Sequence, residues 1–316
     1  MGIEQDMQAG AVSPATGIDG LRHSVRSDFY APPAQFDGCF TTYYHLKLDV
    51  ADGGLVQDYL QPEWGNIRFF AGSLPSSKID GHSLQDARFN VTGPSSRPCW
   101  FELGSARMWG IGFLPLGWAR FVDAEAYDLS NTVFDGTKHP AFAKFDELSG
   151  LLCDPDASVE DQYAGINEIM GRLMQPSRDE QKIVRVHAAL VSGEHFAVGE
   201  LADACGMSMR TLERVCHRYF GFTPKLLMRR QRFMRSLVSF MLHRGQSGGA
   251  RWTEAMDGDY HDQAQFTREF TEFMTMTPSK YAALDHPVMT SFMEARARIW
   301  GSAAQTLDKP TRNTGS

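Results

Sequence analysis

The stretch CGMSMRTLERVCHRYFGFTPKLLMRRQR, Cys205–Arg232, decides how this sequence is read. Arg210, Arg214, Arg218, Lys225, Arg229, Arg230 and Arg232 stand in it against a single acid, Glu213, although the chain has a formal net charge of -7. Ser208 is an N-cap residue, and Leu212, Val215, Cys216 and Tyr219 or Phe220 behind it fall on one side of a helix. The preceding AVGELADACGM (197–207) spaces Leu201, Ala202 and Cys205 as a short buried helix that Gly206 stops. Two helices joined by a tight glycine turn form a helix-turn-helix. The second helix here turns Arg210, Glu213, Arg214, His217 and Arg218 outward, and a helix of that kind fits the major groove, where Arg reads guanine bidentately.

The unit repeats. GFTPKLLMRRQRFMRSLVSFML (221–242) opens at Pro224 as a long helix, HRGQSGG follows as a loop, and ARWTEAMDG (250–258) is a second short helix. In YHDQAQFTREFTEFMTMTPSKY (260–281) Asp262 and Gln265 form a capping box, with Phe266, Phe270 and Phe273 on the buried side. RYFGFTPKLL and EFMTMTPSKY share an aromatic residue followed by a Thr-Pro pair, so the two units end alike. At about 1.5 Å per residue the helix between them spans about 30 Å, close to the roughly 34 Å turn of B-DNA. One chain can then meet two adjacent groove segments. RDEQKIVRVHAAL (178–190) supplies a further helix ahead of the first unit.

Charge divides unevenly along the 316 residues, a length that suggests two domains each with its own core. Residues 1–177 hold 12 bases and 23 acids, whereas 207–251 hold 10 bases and 1 acid. A surface so basic repels itself unless a polyanion meets it. There is no run of about 18 apolar residues, and MGIEQDMQAGAVSPATGIDG lacks the profile of a signal peptide, so no membrane partner and a cytoplasmic location are expected. Five cysteines without a CxxC pair point to reduced, buried thiols.

The front half reads as β-rich. TYYHLKLDV (42–50) alternates Tyr44, Leu46, Leu48 and Val50 against His45, Lys47 and Asp49. NIRFFAG, ARFNVTG, CWFELG and ARMWGIGFLP are further short runs bounded by Gly, Pro, Ser or Asp. From HPAFAKFDEL the pattern turns helical. SVEDQYAGINEIMGRLM (158–174), capped by Asp156 or Ser158, lines Tyr163, Ile166, Ile169, Met170 and Leu173 on one face, as core or as a dimer seam. The expected fold is multidomain α+β. Residues 1–35 are a mobile segment, 36–177 a β-rich sandwich or barrel with flanking helices for effector binding or dimerisation, 178–286 an all-α domain of two helix-turn-helix units joined by a long helix, and 287–316 a tail.

On these motifs, residues 178–286 resemble the DNA-binding domain of the AraC/XylS-type transcription regulators. ELADACGMSMRTLERVCHRYFGFTPK matches the first unit and YHDQAQFTREFTEFMTMTPSKY the family's most recognisable motif. Where the family has Gly before the aromatic that precedes DQ, this chain has Asp259, with Gly258 one residue earlier; Asp tolerates the left-handed turn conformation. ARMWGIGFLPLGWARFV (106–122) carries a weaker likeness to the family's sensory domains. The resemblance implies double-stranded DNA as partner, a homodimer, and RNA polymerase contact in an activator. Arg210, Glu213 and Arg214 in the first unit and Gln263, Gln265 and Arg268 in the second would face base edges. Ser208, Arg218, Lys225 and Thr267 suit phosphates. Against these, Arg214 and Arg268 could pair with neighbouring acids, Glu213 could tune those arginines, and Gln265 could be taken up in capping.

Rival chemistry finds little in the front half. His45, His82 and His139 lack the HxH spacing of a cupin metal site, GIGFLPLG lacks both the GK[ST] ending and the third glycine of a nucleotide loop, and neither GxSxG nor HExxH occurs. No catalytic residue, metal or cofactor is assigned. The alternative is an enzyme domain, such as one for DNA alkylation repair, fused to the same module; it needs clustered cysteines, and Cys39, Cys99 and Cys153 are scattered. Tyr44, Trp64, Phe70, Trp100, Trp109 and Phe113 are the candidate lining of a pocket for a small effector.

Overall fold

The computed structural model describes residues 7–8, 12–16, 22–243 and 252–310. Its strands are Met7–Gln8 (β1), Val12–Thr16 (β2), Arg22–Tyr30 (β3), Phe40–Val50 (β4), Val56–Leu60 (β5), Asn66–Gly72 (β6), Ser76–Ile79 (β7), His82–Leu84 (β8), Phe89–Thr92 (β9), Cys99–Leu103 (β10), Ala106–Phe113 (β11) and Val133–Asp135 (β12). They build two antiparallel sheets. The larger runs β1-β3-β4-β11-β6-β9-β12 with β2 also on β3, and the smaller runs β5-β10-β7-β8.

Period-two alternation decides what each strand shows to each side. On β11, Trp109, Ile111 and Phe113 point outward into a core shared with Phe69 and Val91, while Met108 turns to the inner face with Tyr44, Leu46 and Phe70. The outer face is covered by the helices Pro115–Phe121 (α1), Glu147–Leu152 (α2) and Val159–Leu173 (α3). Ser158 caps α3 by accepting from the Asp161 N–H, and the α3 stripe is core: Ile166 and Met170 are buried, and Gln162 accepts from Trp109 Nε1 at 2.7 Å. The GIGFLPLG run is the end of β11 and the start of α1, which Pro115 opens at its first position. Within HPAFAKFDEL, where the pattern turns helical, a 3₁₀ turn at Ala143–Phe145 runs into α2.

The second half follows as Glu180–Ser192 (α4), Val198–Ala204 (α5), Met209–Val215 (α6), Pro224–His243 (α7), Trp252–Ala255 (α8), Gln263–Met274 (α9), Pro278–Ala282 (α10) and Met289–Trp300 (α11). Apart from His243, the HRGQSGG loop lies outside the described residues. Two expectations about the chain's ends are corrected. The segment 1–35 contains β3, which pairs with β4 along His23–Tyr30 and buries Val25 and Phe29. The segment 287–316 contains α11, whose Phe292 packs edge-on against Phe29 and Tyr44, both at 5.2 Å. Neither large core cluster belongs to one half alone. One joins Trp64 and Phe113 to Val186 and Phe220, and the other joins Leu46 and Phe70 to Met234, Phe270 and Phe292.

Candidate nucleic-acid interface and internal cavity

In the first helix-turn-helix, Leu201 and Ala202 bury α5, Gly206 turns the chain at φ 62°, and Ser208 caps α6 by accepting from the Thr211 N–H at 3.3 Å. Leu212 and Val215 face inward, and Cys216–Phe220 continues α6 as a π turn. Arg210, Glu213 and Arg214 are exposed together. Arg214 Nη1 reaches Asp179 Oδ2 at 3.3 Å, so one of the expected readers is tied to the residue that opens α4. Desolvation raises the Asp179 carboxyl, yet hydrogen bonds from Lys182, Arg214 and Tyr219 outweigh it and hold the group down at about 2. Arg218 lies over the ring of its neighbour Tyr219, and Lys225 is exposed at the start of α7.

In the second unit Asp262 caps α9 by accepting from the Gln265 N–H at 2.6 Å, and Gln265 Oε1 accepts from the His261 N–H at 3.0 Å. The Gln265 carbonyl oxygen is thus engaged in the cap. Gln263 and Arg268 are exposed, Thr267 is half-buried, and Phe266, Phe270 and Phe273 face the core. The turn before this helix forms without a left-handed residue at Gly258 or Asp259. Asp259 instead accepts from Arg235 at 3.0 Å, and its N–H donates to Asp257. The repeated Thr-Pro endings have one cause. Thr223 accepts from the Leu226 N–H and Thr277 from the Lys280 N–H, each ahead of a proline that has no N–H to satisfy.

The basic run on α7 does not form a single surface. Arg229 bonds Glu269 and Glu272, Arg232 bonds Glu269, and Arg235 bonds Asp257 and Asp259. Arg230 is 0% exposed. Reading 207–251 as one polyanion-seeking face is therefore corrected: acids supplied by the second unit, beyond the stretch itself, neutralise three of its arginines.

A cavity of about 90 Å³ lies between the inner faces of the two sheets. Leu46, Phe70 and Met108 line it from the larger sheet, and Cys99, Phe101 and Leu103 from the smaller. Of the six candidate pocket residues only Tyr44 and Phe70 reach it. Trp109 and Phe113 have the opposite strand parity and sit in the outer core, and Trp100 points away from Cys99 and Phe101, with Lys78 over its ring. Trp64, in the loop after β5, packs against His187 and Phe220 instead. Sequence reasoning missed the polar residues. Arg68, buried on β6, donates from Nη2 to both Glu63 oxygens at 2.8 and 2.7 Å and from Nε and Nη1 to Tyr44 and Thr92, each at 3.0 Å. Burial raises the Glu63 carboxyl while Arg68 pulls it back. Strand register places Tyr44, Gly110, Arg68 and Asn90 in one row, and a Cβ at Gly110 would overlap the Tyr44 ring.

Residues 201–283 match a family model described as a helix-turn-helix domain. This part of the chain is an AraC-type helix-turn-helix domain. Among solved structures, ToxT from Vibrio cholerae is similar at 9% identity, over 72% of this chain and 97% of that one, with a TM-score of 0.40. ToxT bound to (E)-4-(8-methylnaphthalen-1-yl)but-3-enoic acid is similar at 10% identity, over 72% and 97%, with a TM-score of 0.41. The AraC-like transcriptional activator CuxR is similar at 13% identity, over 71% and 85%, with a TM-score of 0.29. A search of curated proteins gave no match.

The helix-turn-helix domain is joined to the front half through buried polar contacts. Arg230 of α7 stacks on Trp64, its guanidinium 4.0 Å from the ring centroid, and donates to the Ser95 carbonyl at 2.9 Å. Burial alone brings it down to about 9. Beyond the domain, Asp58 of β5 accepts from the N–H groups of Val288 and Met289 at 3.0 and 2.8 Å and so caps α11 from the opposite half. Asn66 donates to Gln305 at 3.1 Å, and Gln231 of α7 to the Thr306 carbonyl at 2.6 Å. Among the described residues no group of three or more His, Cys, Asp and Glu could hold a metal, and no helix is long and apolar enough to cross a membrane.

Proposed function

We propose that this chain is a sequence-specific DNA-binding transcription regulator whose front half takes a small effector in the inter-sheet cavity. The observation that carries the DNA reading is the pair of capped helices, α6 and α9, each buried by its apolar side and each presenting polar side chains to solvent. Arg210, Glu213 and Arg214 read base edges in one groove segment and Gln263, Gln265 and Arg268 in the next, while Ser208, Arg218, Lys225 and Thr267 hold phosphates. Arg268 is the cleanest reader, since Arg214 must release or share Asp179 and Gln265 offers only its amide N–H₂ while its oxygen caps α9. Pairing of two protomers on repeated half-sites extends this reading.

The test selects DNA from a random pool with the full chain and then measures variants on the recovered site. Arg268→Ala loses roughly 1–3 kcal/mol and relaxes preference at one or two base pairs, whereas Lys225→Ala weakens all sequences alike. If Arg268→Ala keeps the parental preference at every position, α9 is not a reading helix. Size measurement of the free and DNA-bound protein decides whether protomers pair.

A further inference from the structure

The cavity's lining restricts what it can hold. Glu63 and Arg68 are the only charged side chains among its lining residues, and they neutralise each other, both carboxylate oxygens accepting from Arg68 Nη2. Arg68 is further committed through Nε to Tyr44 and through Nη1 to Thr92. A carboxylate entering here would compete with Glu63 for the guanidinium while lying beside the Glu63 charge, in surroundings where an unpaired ion is costly. The remaining wall is mostly apolar. One lining group is left unmatched: Asn90, next to Arg68 in the strand register, is 4% exposed and its Oδ1 has no hydrogen-bond partner. A buried amide oxygen without a partner is uncommon and here faces a cavity.

Size follows from the volume. An apolar cavity of roughly 150 Å³ binds benzene, so a cavity of about 90 Å³ sets an upper size of one small ring. The far wall comes from the second half of the molecule. Met234 of α7 lies there with Val288, Met289 and Phe292, and Ala304 and Gln305 close the same side. A molecule in the cavity therefore touches both the sheets and the segment that Asp58 and Gln231 tie down.

We propose that the cavity binds an uncharged, single-ring-sized apolar molecule bearing one hydroxyl group, which hydrogen-bonds the Asn90 amide, with the segment Val288–Gln305 as part of the binding wall. This rests on the reading of the front half as an effector domain. A hydroxyl both donates and accepts, so it satisfies whichever end of the amide faces inward.

The experiment measures binding of 4-methylphenol, toluene and benzoate to the full-length protein without DNA, by calorimetry and by the shift in unfolding midpoint. The expected order is 4-methylphenol first, toluene roughly tenfold weaker, the worth of one buried hydrogen bond, and benzoate undetected. Asn90→Leu should bind toluene as well as the parent does and lose the preference for 4-methylphenol. Ala304→Leu, which fills the far wall, should weaken both neutral probes at least tenfold while the fold is retained. Equal or tighter binding of benzoate, an unchanged preference in a folded Asn90→Leu protein, unchanged affinities in a folded Ala304→Leu protein, or no binding of any probe would overturn the assignment. Selection of DNA from a random pool is read separately, so a failed cavity leaves the regulator reading to stand or fall on its own result.

Discussion

Asp58→Ala tests whether the C-terminal helix is built into the fold or merely rests on it. The Asp58 carboxylate is buried and accepts from the two N–H groups that open α11, at 3.0 and 2.8 Å, while His286 Nδ1 stands 3.0 Å from its other oxygen. Hydrogen bonds to a charged group contribute about 1.5–3 kcal/mol each, and Val288 and Met289 are too buried for water to replace them readily. Removing the carboxylate should thus cost about 3–6 kcal/mol, a large share of the roughly 5–15 kcal/mol that holds a typical native domain together. Asp58→Asn keeps one carbonyl acceptor and should cost about half as much. The assay is urea unfolding of the parent and both variants, read beside amide exchange over 288–300. If Asp58→Ala unfolds within about 0.5 kcal/mol of the parent and the exchange is unchanged, the cap carries no energy and the tail is not held as described.

Two further measurements follow from buried groups and from backbone geometry. Burial pushes His187 down to about 3 and His45 down to about 4, so both stay neutral in the fold while the unfolded chain takes up protons below about 6.5. Stability is then full above about pH 6.5 and falls as the pH drops toward 4 and 3; His187→Phe should lower the slope of unfolding free energy against pH by up to about 1.4 kcal/mol per unit, checked by urea midpoints between pH 8 and 5. Thr275 ends α9 at φ 56°, where the matching position of the first unit is Gly221 at φ 83°; Thr275→Gly should raise stability by about 1 kcal/mol, and a loss of that size would show that the Thr275 side chain holds the turn.

The helix-turn-helix units were legible because their signals are local. A capping residue, a glycine turn and an apolar spacing each act within one or two helical turns, so Ser208, Gly206 and Asp262 could be placed from sequence alone. The cavity was not legible in the same way. Residue type alone singles out aromatic rings, whereas membership depends on strand parity and on which sheet lies opposite. Parity puts Tyr44 inside and Trp109 outside although both are large rings on adjacent strands. Arg68 and Glu63 gave no sequence signal as a pair, because what marks them is burial, and burial comes from a second sheet and from α11. Asp58 is the same case: its two bonds to Val288 and Met289 cross more than two hundred positions of chain.

Charge shows why local and tertiary information diverge here. The ten bases of 207–251 are neighbours in sequence, which by itself suggests one surface. A helix separates such neighbours onto different sides, and α7 sends Arg229, Arg232 and Arg235 to the acids of the second unit and Arg230 into the front half. Of the described bases of the stretch, Arg210, Arg214 and Lys225 are exposed and Arg218 is half-buried, and Arg268 of α9 is exposed as well. Dependence of binding on salt follows the number of phosphates neutralised, not the number of bases in the sequence, so the slope should reflect about half of the arginines and lysines that the stretch suggests. Arg229, Arg230, Arg232 and Arg235 act inside the protein. They hold the two helix-turn-helix units at a fixed spacing along α7, and through Trp64 they fasten that helix to the β-sheet domain that carries the cavity.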